Sequence, residues 1–530
     1  MTNFSYDFPY PSQRSPVMAR NVVATSQPLA AQAGIQMLLK GGNAVDAALA
    51  AAIALTVVEP TGNGLGSDAF AIVWDGARLH GLNASGRSPA SWTPERFAAV
   101  KQMPARGWES VTVPGAVSAW VELSEKFGRL PFETLFEPGL DYARNGFHVS
   151  PAIAGLWNMR SESVWDQPGF RECFMPDGRA PRAGELFINR PIGESLETIA
   201  RSRGEAFYRG ALADAIVRCA EQHGAGLNLA DLDAHKLDWC GTVSTRFRDV
   251  AVHEIPPNGQ GIAALMALGM LEHTQIDAFH PDSPESLHLQ IEAMKLAFAD
   301  VERYIGDPAV MEMSVEALLS PDYLRRRARL IDLSYAGTPG AGAPRDGGTV
   351  YLTTADASGM MVSFIQSNYN GFGSGVVVPG TGISLQNRGS GFTLEAGHPN
   401  RVGPSKRPFH TIIPGFLMRD GEPLMSFGVM GGPMQAQGHV QMVLRTQAWN
   451  QNPQTACDAP RWRVTEGRAV AVESAMDDAA IQALEERGHI ITREEPDVAF
   501  GFGGAQLIHR IAGGYVAGSD HRKDGVAIGF

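Results

Sequence analysis

The sequence predicts an α+β fold, because runs with helical periodicity stand beside segments that read as buried strands. Three observations carry this prediction. The Ala-rich run from Ala44 to Val58 is apolar nearly all round, as a helix packed on most sides requires. Ala69-Phe70-Ala71-Ile72-Val73-Trp74 has the continuous apolar character of a buried strand. Residues Thr349 to Gln366 form two strand-like runs around the turn Asp356-Ala357-Ser358-Gly359, the pattern of a hairpin.

The elements follow in order along the chain. Ser26 is placed to cap a helix over 28–39, with Pro28 in the first turn, where its missing N–H costs little. That helix stops at Gly41-Gly42, and Asn43 then caps a second helix over 44–58, closed by Glu59-Pro60. A glycine-rich turn, 62–66, leads into the strand at 69–74. Helical patterns recur at 115–127, 191–203, 210–222 and 283–304, with no repeat of fixed period. Ser334 to Gly348 is mostly Gly, Ala and Pro with little to bury, which predicts a flexible, exposed stretch. It ends abruptly at Thr349, where the hairpin begins. Further on, a strand over Leu424–Val429 runs into Gly431-Gly432.

Composition narrows the function. A formal net charge of −12 and no basic stripe argue against nucleic acid as a partner. The four cysteines are widely scattered without a CxxC pair, so they read as buried thiols. The first twenty residues lack an apolar core, and the longest apolar run, 47–58, is shorter than the roughly 20 residues a membrane span needs. A cytoplasmic protein with no membrane association is expected. The glycine clusters 62–66 and 371–375 lack G-x-G-x-x-G spacing and read as tight turns, so no cofactor is expected. His288 and Glu292 lie four apart on one helical face like two metal ligands. With no further His or Cys nearby, hydrogen bonding is the better reading and no metal is predicted.

The Gly348–Thr349 junction supports a specific chemistry. A threonine hydroxyl is a poor nucleophile until a base takes its proton. Cleavage before Thr349 would free an α-amine of pKa near ~8, a base on the same residue. Gly348 leaves room for the Thr349 hydroxyl to attack the preceding carbonyl itself. Acyl transfer also needs oxyanion donors, and Gly431-Gly432 offers two adjacent backbone N–H groups without side-chain obstruction.

In combination these features resemble the γ-glutamyltransferase family of N-terminal-nucleophile hydrolases. The resemblance rests on Gly41-Gly42-Asn43-Ala44-Val45-Asp46-Ala47-Ala48, Val113-Pro114-Gly115 and Ala143-Arg144-Asn145-Gly146-Phe147. It continues through Glu292-Ala293-Met294-Lys295, Gly306-Asp307-Pro308, Lys406-Arg407-Pro408, Gly431-Gly432 and Ala459-Pro460-Arg461. It implies a four-layer αββα sandwich built from two autocleaved fragments, 1–348 and 349–530, which stay together as a heterodimer. It further implies Thr349 as nucleophile and α-amine base, Ser367 as its hydroxyl partner, and Gly431 and Gly432 as the oxyanion hole. The substrate would be a small-molecule amide, and water or an amine would resolve the acyl-enzyme.

The residues that grip a γ-glutamyl group in the family are mostly replaced. Tyr369 stands where an asparagine contacts the α-amino end, Gly391 where an aspartate binds the ammonium, and Arg388 where a nearby glutamine lies. His410-Thr411 replaces a Ser-Ser pair. Ser85 takes the place of the carboxylate-binding arginine, with Arg87 two residues on, on the same face of a strand. With Asn387, the substrate-binding set is Arg87, Tyr369, Asn387, Arg388, His410 and Thr411. The segment between Phe392 and Arg407 is short, which predicts an open pocket. These departures match the glutathione-hydrolase-like bacterial branch. Hydrolysis or transfer of γ-glutamyl groups is the first expectation. The alternatives are an acylase of another amide, of the cephalosporin side-chain or oxamate type, or a non-catalytic binding member.

Overall fold

The computed structural model describes residues 9–11, 14–339, 348–496 and 501–530. Fourteen of its strands, numbered in chain order, build two large sheets. They are β1 (Val17–Ala19), β2 (Val22–Thr25), β3 (Asp68–Trp74), β4 (Leu79–Asn83), β5 (Asp238–Trp239), β6 (Val243–Phe247) and β7 (Val250–Glu254). After them come β8 (Gly348–Ala355), β9 (Met361–Tyr369), β10 (Gly415–Arg419), β11 (Glu422–Met430), β12 (Gly504–Ile511), β13 (Gly514–Ser519) and β14 (Val526–Gly529). One seven-stranded sheet has the order β14-β2-β8-β9-β3-β4-β5, the other β1-β13-β12-β11-β10-β7-β6. Every neighbouring pair in both is antiparallel.

Alternation along the strands makes the layers. On β3, Ala69, Ala71 and Val73 face a helical layer, while Phe70, Ile72 and Trp74 belong to the apolar core between the sheets. On β8, Val350 and Leu352 face the helices and Tyr351 faces the other sheet. The Tyr351 ring fills the space in front of Gly428 on β11, where a Cβ would lie 2.3 Å from it, so that position accepts no side chain. Helices α1 (Pro28–Leu39), α2 (Ala44–Val58) and α3 (Ala116–Phe127) cover the first sheet. Outside them lie α4 (Arg190–Ser202) and α5 (Ala211–Gln222). Of α6 (Gly261–Leu271), α7 (Pro284–Tyr304) and α8 (Met434–Val443), the first and last cover the second, and α7 packs against both of them. The result is the α+β, αββα sandwich.

The helix caps test the local reading. Asn43 caps α2 as expected, its Oδ1 accepting from the N–H groups of Val45 and Asp46 at 3.0 Å while Asp46 accepts from the Asn43 N–H at 2.9 Å. On α1 the cap is Gln27 rather than Ser26. The Gln27 side chain accepts from the N–H of Leu29 at 2.6 Å, and Ser26 instead donates to the buried Glu59 carboxylate. A tertiary partner outcompeted the local bond.

Of the stretch expected to be flexible, residues 340–347 lie outside the described residues. Residues 334–339 are tied down: Ala336 is buried with its N–H on the Arg487 carbonyl, and the Gly337 N–H donates to Glu292 at 3.0 Å.

Beyond β13 a buried ionic cluster joins the second sheet to the smaller one formed by 462–466, 469–473 and 490–494. Asp520 accepts from Arg461, from Arg522 and from the Ala505 N–H, and Arg522 and the Arg461 N–H both bond Glu473. Burial works against ionising Asp520, but the Arg461 and Arg522 charges outweigh it and hold its carboxyl below the ordinary range. The stability this group contributes is therefore fully present above its ordinary pKa of 3.8 and lost as pH falls through the lower folded value. Asp520→Asn leaves buried guanidinium charge uncompensated and is expected to cost about 3–5 kcal/mol at neutral pH. Urea unfolding reads this directly, and an unshifted midpoint would refute it.

Candidate active site

Thr349 is the second residue of β8 and is fully buried. By strand alternation it shares the inter-sheet face with Tyr351. The β8–β9 register that pairs Val350 with Gln366 sets Thr349 opposite Ser367, and a one-residue irregularity then pairs Gly348 with Tyr369. The two hydroxyl oxygens are 3.2 Å apart. Ser367 Oγ also accepts the Tyr369 N–H at 2.7 Å. Tyr369 reaches that position with φ 78°, a left-handed conformation rare for a residue with a ring.

The second sheet supplies the facing wall. Gly431 and Gly432 follow β11 and precede α8, with φ 118° and 58°, both in the region that favours glycine. The Gln435 N–H bonds the Gly432 carbonyl at 3.1 Å, and the Gln435 side chain extends to Thr349, its Nε2 donating to Oγ1 at 3.4 Å. Its Oε1 accepts the Ile413 N–H at 3.0 Å, which fixes the amide's orientation. Gln435 was not among the residues singled out from sequence, although it lies three residues beyond Gly432. Gln435→Met removes the amide donor to Thr349, together with the acceptor for Ile413, without placing a charge beside the hydroxyl. A fall of about tenfold in kcat/KM is expected from the lost hydrogen bond to Thr349, and an unchanged value would detach Gln435 from the site.

Other predicted residues join through two routes. Gln260 Nε2 donates to the carbonyls of Gly432 (2.8 Å) and Thr411 (2.6 Å), and Thr411 Oγ1 accepts from Arg388 Nη1 at 2.8 Å. On the other side, the Arg388 guanidinium lies 4.6 Å from the centre of the Tyr369 ring. Burial lowers the Arg388 pKa to about 10, against the Asp68 charge. Asn387 braces this wall: its N–H bonds the Asn368 carbonyl, its Oδ1 accepts the Asn370 N–H, and its Nδ2 donates to Ala105. Arg87 is not drawn into this network. It pairs with Asp307 at 3.1 Å and bonds the Ser405 carbonyl, with its side chain 46% exposed.

His410 points to a residue that sequence reasoning missed. Its Nε2 lies 3.1 Å from Asp68 Oδ2, and its Nδ1 accepts the Ile412 N–H, so Nε2 carries the proton and donates. Asp68 stands opposite Ser367 in the β9–β3 register and also accepts the N–H groups of Gly86 (3.2 Å) and Gly115 (3.1 Å). Burial pushes Asp68 up to about 7, with Arg388 and those amides pulling the other way. Burial, together with Arg388 and Arg407, holds His410 well below its ordinary value, so the imidazole is neutral. The only trace of Asp68 in the sequence was an acidic residue at the start of an otherwise apolar strand.

The site is closed rather than open as expected. Thr349 and Ser367 are fully buried and Tyr369 is 7% exposed. The 392–407 segment folds back on itself, with Val402 and Thr393 hydrogen-bonded and Lys406 bonded to the Pro399 and Arg401 carbonyls.

The fold also brings a third possible metal ligand, His489, to His288 and Glu292, with ligand atoms within 4.8 Å of one another. Apart from His489 Nδ1, which is buried without a hydrogen-bond partner, the donors are already engaged. His288 bonds His489 at 2.8 Å and the Asp332 carbonyl at 2.7 Å, while Glu292 takes the Lys295 ammonium at 2.6 Å and the Gly337 N–H. Lys295 provides the positive charge a cation would bring. The cluster works as a hydrogen-bonded anchor for residues 332–337.

A threonine at the head of an inner strand, set between two antiparallel sheets with helices on both outer faces, belongs to the fold of the N-terminal-nucleophile hydrolases. The model of the family described as gamma-glutamyltranspeptidase matches residues 30–530. A solved structure of cephalosporin acylase from Bacillus halodurans superposes with a TM-score of 0.94 at 47% identity, covering 99% of each chain. The glutathione hydrolase-like YwrD proenzyme of Bacillus subtilis is 35% identical, covering 98% of this chain and 100% of the relative. The oxamate amidohydrolase proenzyme of Klebsiella pneumoniae is 34% identical, covering 97% and 99%. The chain belongs to the gamma-glutamyltranspeptidase family and is an amidohydrolase of that class. Among the described residues, no helix is long and apolar enough to cross a membrane.

Proposed function

We propose that the chain is a proenzyme that cuts itself between Gly348 and Thr349 and then hydrolyses amides through an acyl-enzyme on Thr349. The observation that carries this reading is the setting of Thr349 Oγ1, buried and within 3.4 Å of both the Ser367 hydroxyl and the Gln435 amide. The freed α-amine takes the hydroxyl proton, Ser367 and Gln435 orient the oxygen, and the Gly431 and Gly432 N–H groups receive the oxyanion. Water, or an acceptor amine, then resolves the ester. The fragments stay together after the cut, because strands from 1–348 and 349–530 are interleaved in both sheets: β2 lies between β14 and β8, and β10 bonds β7.

For the substrate, the geometry favours an acylase over a γ-glutamyl enzyme. A γ-glutamyl group carries an ammonium that needs a carboxylate. Position 391 is glycine, and Asp68 already accepts from Gly86 and Gly115 through Oδ1 and faces His410 through Oδ2. A site that leaves a substrate's charged group without its partner discriminates strongly against that substrate. Intact-mass measurement and N-terminal sequencing test the processing step, with two fragments expected and the smaller beginning at Thr349. Release of p-nitroaniline from γ-glutamyl and simple acyl anilides tests the substrate class. Faster turnover of the γ-glutamyl compound would reverse the preference.

A further inference from the structure

We propose that His439, oriented by Glu254, is a positioning residue for the oxyanion turn: it holds the end of β11 so that the Gly431 N–H keeps its direction. This role rests on Gly431 and Gly432 receiving the oxyanion. β10 pairs with β11 only as far as Phe427, opposite Gly415. Beyond that point β11 has β12 on one side and, among the described residues, no paired strand on the other. The Val429 N–H donates instead to the imidazole of His439, at 3.3 Å from Nε2. Helix α8 comes close enough for this contact because Gly438 faces Val429, where a Cβ would lie 2.7 Å from the valine side chain.

The second imidazole nitrogen fixes the ring. Nε2 accepts a hydrogen bond, so Nδ1 carries the proton and donates to Glu254 Oε1 at 2.6 Å. Glu254 and His439 are both fully buried, and Glu254 Oε2 is buried without a partner. Burial pushes the Glu254 carboxyl up, with His439 pulling the other way. A buried carboxylate with one side-chain partner is costly, and well-packed apolar residues would fill the same space at lower cost. What the pair supplies is direction. Gly431 is held on both sides: Val429, two residues before it, by His439, and the Gly432 carbonyl after it by Gln260 Nε2 at 2.8 Å and the Gln435 N–H at 3.1 Å. His439 lies one helical turn beyond Gln435, so it acts through the backbone of β11 while Gln435 reaches Thr349.

Steady-state kinetics of the processed protein on an acyl p-nitroanilide test this. His439→Gln keeps an acceptor near the former Nε2 for Val429, whereas the shorter His439→Asn keeps only the bond toward Glu254. His439→Asn is expected to lower kcat about tenfold with KM little changed, because the oxyanion donor acts in the transition state. His439→Gln should recover most of that loss. Added to Gly431→Ala, His439→Asn should cost less than about threefold more, since both changes act on one N–H. Gly438→Ala pushes α8 off Val429 with the histidine intact, so it should lower kcat as His439→Asn does, and it serves where the asparagine variant fails to fold. Equal losses in the Gln and Asn variants, a loss carried by KM, or full additivity with Gly431→Ala would overturn the role. Gly431→Ala alone reads the oxyanion assignment: an unchanged kcat there removes that assignment, whereas a large loss that adds fully to that of His439→Asn removes only the role of His439.

Discussion

Thr349→Ala is expected to leave a single uncut chain and to lower amide turnover by at least about 10⁴-fold, the scale seen when a covalent nucleophile is removed. Both losses follow from one oxygen. In the proposed chemistry Thr349 Oγ1 first attacks the carbonyl of residue 348, and after the cut it attacks the substrate. The site around it should survive the change, because Ser367 keeps the Tyr369 N–H and Gln435 keeps Ile413 and Gly432. Intact mass reads the processing and a chromogenic anilide reads the turnover. Two fragments from the alanine variant would mean that an outside protease does the cutting. Thr349→Ser retains a hydroxyl and should still be processed.

Gly431→Ala is expected to lower kcat by about 10²–10³, the cost of displacing one oxyanion donor. At φ 118° a side chain forces the backbone to turn, and the N–H turns with it. Gly432 provides an internal control. Its φ of 58° lies in the left-handed region that L residues enter at a cost of about 1–2 kcal/mol. Gly432→Ala should therefore lose less activity than Gly431→Ala while both unfold at similar denaturant concentrations. Equal losses in the two variants would show that the peptide geometry at Gly431 has no special part in catalysis.

Much of the local structure was legible because it depends on neighbours in sequence. The α2 boundaries, its Asn43 cap and the hairpin around 356–359 follow from capping chemistry, apolar periodicity and turn residues. The strand ahead of Gly431-Gly432 appeared one or two residues longer at each end than expected. Misreadings arose where a distant group intervened. Ser26 yielded the cap to Gln27 because Glu59 claimed its hydroxyl. His288 and Glu292 acquired His489 from 201 residues away in sequence from His288, and residues 334–337 were tied to that same cluster.

The sequence alone determined the family and the candidate nucleophile. A Gly–Thr junction before a strong strand, the paired glycines, and many ordered motif matches are all properties of the linear chain. It also showed that the γ-glutamyl-binding residues are replaced. Tertiary structure decided what each replacement meets, because charge availability depends on partners that only folding brings together. Arg87, the nearer candidate in sequence, is committed to Asp307. Arg388 bonds the Thr411 hydroxyl, while Asp68 accepts from Gly86 and Gly115 and faces His410. A buried guanidinium depends on the partners that folding brings to it, and those lie far away in the linear chain.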